Sequence, residues 1–112
     1  MNVHAEKQAV AAFPELCRLI DLRDEGWAFL ATERDGKVVE VHGVRTWPGG
    51  WADAIRVRYT TDAKGLRTDY AGGIVRGREG TLDDVLDGLI ALPAPDERGA
   101  PRLVKGTVDG IT

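Results

Sequence analysis

The chain of 112 residues has the size of one domain, and its 43% hydrophobic and 29% charged residues are typical of a globular protein. A net charge of −3 argues against nucleic acid as a partner, because nucleic-acid binding normally needs an excess of basic residues. The chain contains no serine, one asparagine and one glutamine, which excludes a Ser-His-Asp triad and leaves few side-chain amides for an oxyanion hole.

Targeting signals and cysteine content predict the compartment. No apolar run follows Met1, so we expect no signal peptide, lipid anchor or membrane span. Cys17 is the single cysteine and cannot form an internal disulfide. These features predict a cytoplasmic protein that does not attach to a membrane.

Residues 3–22 have the composition of a helix interrupted by Pro14. Because the residue before a proline is disfavoured in helical conformation, we expect either a kinked helix or two short helices. Its apolar face is predicted to carry Val10, Phe13, Leu16, Cys17 and Ile20. Gly26 suits the end of this region.

Five β-rich segments follow at residues 27–32, 37–44, 53–60, 66–70 and 74–78. Asp35-Gly36 between the first two predicts a tight hairpin, because both central residues of a type I′ turn need positive φ. Residues 46–51 (Thr-Trp-Pro-Gly-Gly-Trp), 62–65 and 71–73 are predicted to be the later turns. The connections are short, so consecutive strands should pair antiparallel as a meander.

Residues 81–92 predict the best-defined helix. Thr81 with an acid three residues later is typical of a helix start, and leucine, valine and isoleucine recur on one face. Residues 1–95 then form a single domain, and 96–112 form either an extended tail or an edge strand of that domain. The predicted class is α+β: an N-terminal helical region, a five-stranded antiparallel meander and a C-terminal helix, with both helices on one sheet face.

Alternation predicts a row of arginines on the other, open sheet face. Since Arg forms bidentate contacts with anions, this face is a candidate surface for an acidic protein partner. The alternative is a solvated face with weak cross-strand ion pairs. The predicted arginines are Arg56, Arg58, Arg67, Arg76 and Arg78.

The turn at 46–51 carries Trp47 and Trp51, two of the three tryptophans. The sequence leaves open whether the indoles fold back onto the core or form an exposed apolar patch. Tryptophan is enriched at binding hot spots, and a homodimer is the commonest outcome of such a patch.

The sequence predicts no catalytic residue, no metal site and no cofactor. His42, Asp53, Tyr59 and Tyr70 carry groups that enzymes use, but their spacing matches no metal-binding or catalytic motif. The chain is therefore predicted to be a non-catalytic interaction or adaptor module, homodimeric, using the open sheet face or the tryptophan turn. The alternative is a small-ligand-binding protein or enzyme with a pocket between the sheet and helix 81–92.

Overall fold

A computed structural model describes residues 3–19 and 26–107. Helix α1 spans Val3–Ala12, a 3₁₀ turn spans Pro14–Leu16, and residues 17–19 are again helical. Phe13 between them is extended (φ −137°, ψ 86°), as the proline after it requires. The predicted interruption at Pro14 is confirmed. Residues 20–22, the end of the predicted helical region, lie outside the described part, as do residues 23–25 and the last five residues of the chain.

The sheet is an antiparallel meander, as predicted. Its strands are β1 Ala28–Arg34, β2 Lys37–Thr46, β3 Ala52–Tyr59, β4 Asp62–Thr68 and β5 Gly73–Gly80, paired in chain order. Asp35 and Gly36 both have positive φ (55° and 77°), which is the geometry of the predicted hairpin turn. A two-residue strand β6, Gly106–Thr107, extends the sheet beside β5, so the tail contributes an edge strand.

Helix α2 spans Leu82–Ala91 and starts as predicted. The Thr81 hydroxyl oxygen accepts a hydrogen bond from the backbone N–H of Asp84 at 3.2 Å. This cap satisfies one of the free N–H groups at the helix start. None of the helices in the described segments has the length and apolar character needed to cross a membrane.

Both helices cover the same face of the sheet, which confirms the predicted layering. Helix α1 packs on β1 and β2, and α2 packs on β3, β4 and β5. The N-terminal region contributes four residues to their shared core, and the rest comes from the sheet and α2. The core residues are Ala9, Phe13, Leu16, Leu19, Trp27, Phe29, Val41, Ile55, Val57, Ala63, Leu82, Val85 and Leu86.

The apolar face of the N-terminal helix differs in part from the prediction. Val10 and Cys17 are only half-buried, whereas the small residues Ala5 and Ala9 are fully covered. Residues four positions apart lie on the same helix face, so Ala5 and Ala9 form the packed side of α1. The predicted core residue Ile20 is outside the described residues.

Strand β4 starts earlier than predicted. Residues 62–65 were expected to be a turn, but they are strand, and the chain reverses at residues 60–61 instead. Gly65 faces helix α2, where an added Cβ would lie 2.8 Å from Val85 Cγ1. The glycine is therefore needed for close packing of the helix on the sheet rather than for a turn. This change decides which side of β4 is covered.

Candidate functional site: the open face of the sheet

An apolar stripe crosses the open face of the sheet, the face that neither helix of the described residues covers. We use this name for five residues aligned in register across β1 to β5, since aligned residues of antiparallel strands share a face. They are Ala28, Val44, Ala54, Leu66 and Gly77. A shallow concavity of about 520 Å³ lies over this part of the sheet.

Large apolar side chains of this face are open to solvent. Leu30, beside the stripe on β1, is 64% exposed, and Val44 at the stripe itself is 42% exposed. Leaving two branched aliphatic side chains in water forgoes the free energy that their burial would supply. Covering the centre of this face with another molecule would therefore lower the free energy of the system.

A charged row runs parallel to the stripe, one pleat away. We define it as His42, Arg56, Lys64 and Glu79, which align across β2 to β5. Arg56 Nη2 lies 3.4 Å from an Asp62 carboxylate oxygen, and Lys64 Nζ lies 3.9 Å from Glu79 Oε1. Both distances are long for charge-assisted hydrogen bonds. Arg56 Nε is buried and has no hydrogen-bond partner among the described residues.

Glu40 lies on β2, one pleat further from the stripe than the charged row. Its ionic contacts are shorter than those of Arg56 and Lys64. Arg58 Nε donates a hydrogen bond to Glu40 Oε1 at 2.8 Å, and His42 Nε2 lies 2.7 Å from Glu40 Oε2. The bond from Arg58, followed by that from His42, lowers the pKa of Glu40 below its ordinary value. The same bond raises the pKa of Arg58. Arg58 is thus on the open face, as predicted, but it already forms an ion pair with Glu40.

Replacing Glu40 by glutamine should lower stability slightly at neutral pH and have no effect in acid. Because the folded-state pKa of Glu40 is depressed, its contribution is present above the unfolded-state value and is lost as pH falls through the folded-state value. The pair is solvent-exposed, so we expect the urea midpoint at pH 7 to fall by only about 0.2 M. The difference from wild type should shrink as pH falls below the ordinary pKa of a glutamate, about 4.3, and vanish once the pH is below the depressed folded-state pKa. A difference that stays constant from pH 7 to pH 3, or one equal at pH 7 to that of the exposed-loop control Glu97→Gln, would contradict this role.

Three of the five arginines predicted for the open face lie on the opposite, helix-covered face. Arg67 is fully buried, and Arg76 is aligned with it in the next strand. Arg78 is aligned with Gly65, which faces helix α2. The prediction was wrong for Arg67, Arg76 and Arg78 because β4 presents its odd-numbered residues to the helices. Arg56 and Arg58 are on the open face.

Arg67 forms a buried ion pair with Asp53, the residue aligned with it on β3. Arg67 Nε and Nη2 donate to the two carboxylate oxygens at 2.6 and 2.9 Å. Trp47 Nε1 also donates to this carboxylate at 3.0 Å, and Arg67 Nη1 donates to the carbonyl of Pro93. The network joins two strands, the tryptophan turn and the segment after α2, so its role in this fold is structural.

The tryptophan turn is partly folded back. Trp47 and Trp51 are both half-buried, which answers the question that the sequence left open. The guanidinium carbon of Arg45 lies 3.8 Å from the centre of the Trp47 ring. A cleft of about 420 Å³ separates this turn from the segment that contains Pro95 and Arg102. Trp51 therefore faces the protein's own C-terminal segment across that cleft.

The space beneath α2 is almost filled. The gap between the helix and strands β4 and β5 measures about 10 Å³. A larger cleft of about 210 Å³ lies at one end of the core, where Trp27, Asp53 and Leu89 are among its walls. Sites for drug-sized ligands usually measure about 300–1,000 Å³. The helix–sheet interface thus has little room for a small molecule.

The groups considered for catalysis do not converge. Tyr59 and Tyr70 are 68% and 76% exposed, His42 contacts Glu40, and Asp53 is engaged by the buried network. Within residues 3–19 and 26–107, no three His, Cys, Asp or Glu side chains form a group that could hold a metal ion. In the described part of the chain, the most distinctive surface is thus the apolar stripe with its charged row.

We compared the chain with protein-family models, curated proteins and solved structures. None of them matches. The function must therefore be argued from the site itself.

Sequence reasoning missed most of the stripe. Alternation in β2 and β3 places Val44 on the same face as His42 and Ala54 on the same face as Arg56, so the sequence held the signal for two of the five stripe residues. Leu66 was not identified because the alternation of residues 66–70 was interpreted with Arg67 on the open face.

Proposed function

We propose that this protein is a non-catalytic protein-binding module whose binding surface is the open sheet face, centred on the apolar stripe. The main support is the exposure of Leu30 and Val44 beside one another on a face that no element of the described chain covers. Contiguous exposed apolar surface with a polar rim is typical of protein interaction sites. The charged row and Glu40 supply such a rim.

The two other surfaces that the sequence suggested have less support. Trp47 is half-buried and donates a hydrogen bond to Asp53, so one of the two indoles of the tryptophan turn is already engaged within the protein. Trp51 is half-buried and lines the cleft of about 420 Å³ beside the C-terminal segment. A ligand pocket between the sheet and helix 81–92 has less support because the gap beneath the helix measures about 10 Å³ and the cleft beside its end about 210 Å³, both below the usual size of a ligand site. The predicted homodimer is one form of this proposal, with a second copy as the partner.

Site-specific photocrosslinking tests the proposal in cells. A photoreactive phenylalanine analogue at Val44 should give a discrete protein adduct, which mass spectrometry identifies. The same analogue at the exposed turn residue Thr61 should not give this adduct. An adduct of twice the chain mass would identify the homodimer, and one of another mass would identify a different protein.

A matched pair of variants checks that the stripe region itself is the binding surface. Leu30→Glu places a charge beside the stripe and should reduce the Val44 adduct at least about tenfold, since a buried unpaired charge opposes association. Leu103→Glu makes the same change at a residue that is 78% exposed in the tail, and it should leave the adduct unchanged. The proposal fails if Val44 gives no adduct, or if both variants behave alike.

A further inference from the structure

We propose that the occupant of the open face is an acidic amphipathic helix, with its apolar side chains on the stripe and its carboxylates over Arg56 and Lys64. This inference rests on the proposed function and adds the chemistry of the partner. It follows from the direction of the stripe, the state of the two cations and the poor fit of a second copy.

The stripe has the length of a short helix. It runs across five strands, and adjacent strands lie about 4.8 Å apart, so its ends are separated by about 19 Å. A helix rises 1.5 Å per residue, so about 13 residues cover this distance. One apolar side of such a helix can contact every strand of the meander.

A helix fits this surface better than an extended peptide does. The centre of the face offers aliphatic side chains, and the strands' backbone groups are used in the sheet ladder. An extended peptide lying there would leave its own N–H and C=O groups over apolar side chains, which is costly. A helix satisfies those groups internally and presents only side chains.

The cations beside the stripe favour carboxylates in the partner. Arg56 Nε is buried without a hydrogen-bond partner among the described residues, and its contact with Asp62 is long, at 3.4 Å. Lys64 is 3.9 Å from Glu79, a residue at the far end of the row whose side chain is 73% exposed. Glu40, the third acid of this face, is already bound by Arg58. A carboxylate over Arg56 and Lys64 would form shorter charge-assisted bonds than either cation has now.

A second copy of the chain fits this face less well. A two-fold axis along β3 would set Arg56 against the same residue of the other copy. An axis along the stripe would set the cations against the partner's Thr46, Ala52 and Thr68, which are aligned on the other side of the stripe and carry no charge. In both arrangements Arg56 is covered without gaining a carboxylate beyond its long contact with Asp62, and covering a weakly paired charge is costly.

An amphipathic helix of the chain itself covers the opposite face of the same sheet. Helix α2 places Leu82, Val85 and Leu86 on the sheet. Its outward side carries Asp87, which accepts a hydrogen bond from Arg18 at 2.6 Å. An acidic amphipathic helix is thus already one solution for covering this sheet.

Two synthetic helical peptides form the direct test. Each is a fluorescent, hydrocarbon-stapled peptide of four turns with leucines on one side; one carries glutamates along the flank of that side, and the other carries lysines there. We expect the glutamate peptide to bind at least about tenfold more tightly in fluorescence anisotropy, and its affinity to fall as salt is raised. Vesicles of anionic lipid are the third probe, and we expect them not to bind.

Charge variants locate the binding. Arg56→Glu and Lys64→Glu should each weaken the glutamate peptide about tenfold or more and should strengthen the lysine peptide. Arg98→Glu makes the same charge change at an exposed loop residue and should alter neither affinity. Circular dichroism identifies any variant that has lost its fold. An unfolded glutamate variant is replaced by Arg56→Gln or Lys64→Gln, for which we expect the affinity for the glutamate peptide to fall about threefold.

The outcomes separate this inference from the proposed function. Equal affinity for the two peptides, no binding of either peptide at millimolar concentration, or preferential binding of anionic vesicles overturns the acidic-helix inference. A Val44 photoadduct obtained together with any of those results leaves the protein-binding proposal standing. A Val44 adduct of twice the chain mass overturns the acidic-helix inference in favour of a second copy.

Discussion

Replacing Arg67 by methionine lowers the free energy of unfolding by about 3–5 kcal/mol, because it leaves the buried carboxylate of Asp53 without its main partner. Arg67 is fully buried and donates two hydrogen bonds to that carboxylate. The change also removes the donor to the Pro93 carbonyl. Urea denaturation followed by tryptophan fluorescence measures the loss.

The double variant Asp53→Leu/Arg67→Met should be more stable than Arg67→Met alone. When both charges are removed, no buried charge remains unpaired, so the two losses are not additive. Arg58→Met is the matched control: Arg58 forms an ion pair with Glu40 on the exposed face, and its replacement should cost far less. If Arg67→Met and Arg58→Met have equal effects, the buried pair is not the stabilising element that we describe.

Replacing Gly65 by alanine destabilises the protein by about 1–3 kcal/mol, because the new methyl group overpacks the contact between β4 and α2. The added Cβ would lie 2.8 Å from Val85 Cγ1 and 3.3 Å from Leu89. The buried helix cannot give way without moving other core side chains. The measurement is again the urea midpoint.

Gly77, in the adjacent strand, provides the control for the alanine substitution. It lies on the open face, and a Cβ there would meet nothing within 4 Å. Gly77→Ala should therefore be neutral or stabilise by up to about 1 kcal/mol through the unfolded state. Adding Val85→Ala to Gly65→Ala should return part of the stability lost to the clash, although it forms a cavity of its own. Equal effects of Gly65→Ala and Gly77→Ala would show that strand preference, not packing on α2, sets the loss.

Much of the fold could be predicted because the local signals are strong. Asp35-Gly36 specifies a hairpin turn, Thr81 starts a helix, and Pro14 interrupts one. Each depends on backbone geometry within a few residues. The short connections then imply an antiparallel meander, since a parallel pair would need a long crossover.

The candidate site was predicted only in part because alternation separates two faces of a strand without saying which is covered. In β4, residues 63, 65 and 67 alternate with 64, 66 and 68, and both sets mix apolar with charged or small residues. The prediction placed Arg67 on the open face, which by alternation turns Leu66 inward, whereas the structure places Leu66 on the open face. The wrong choice exchanged Leu66 and Arg67, so the apolar stripe was predicted as an arginine surface.

By itself, the sequence determined the class of fold, the order of its elements and the placement of both helices on one face of the sheet. The tertiary structure decided the orientation of β4 and, through its register with β5, the positions of Arg76 and Arg78. Arg67 can be buried because Asp53 lies beside it, and α2 can pack closely because Gly65 has no side chain. Side chains of a strand alternate between two faces, so the contacts that turn Gly65 and Arg67 toward the helices also decide the face of every other residue of β4. They leave the apolar stripe exposed, and with it the surface that we propose binds a partner.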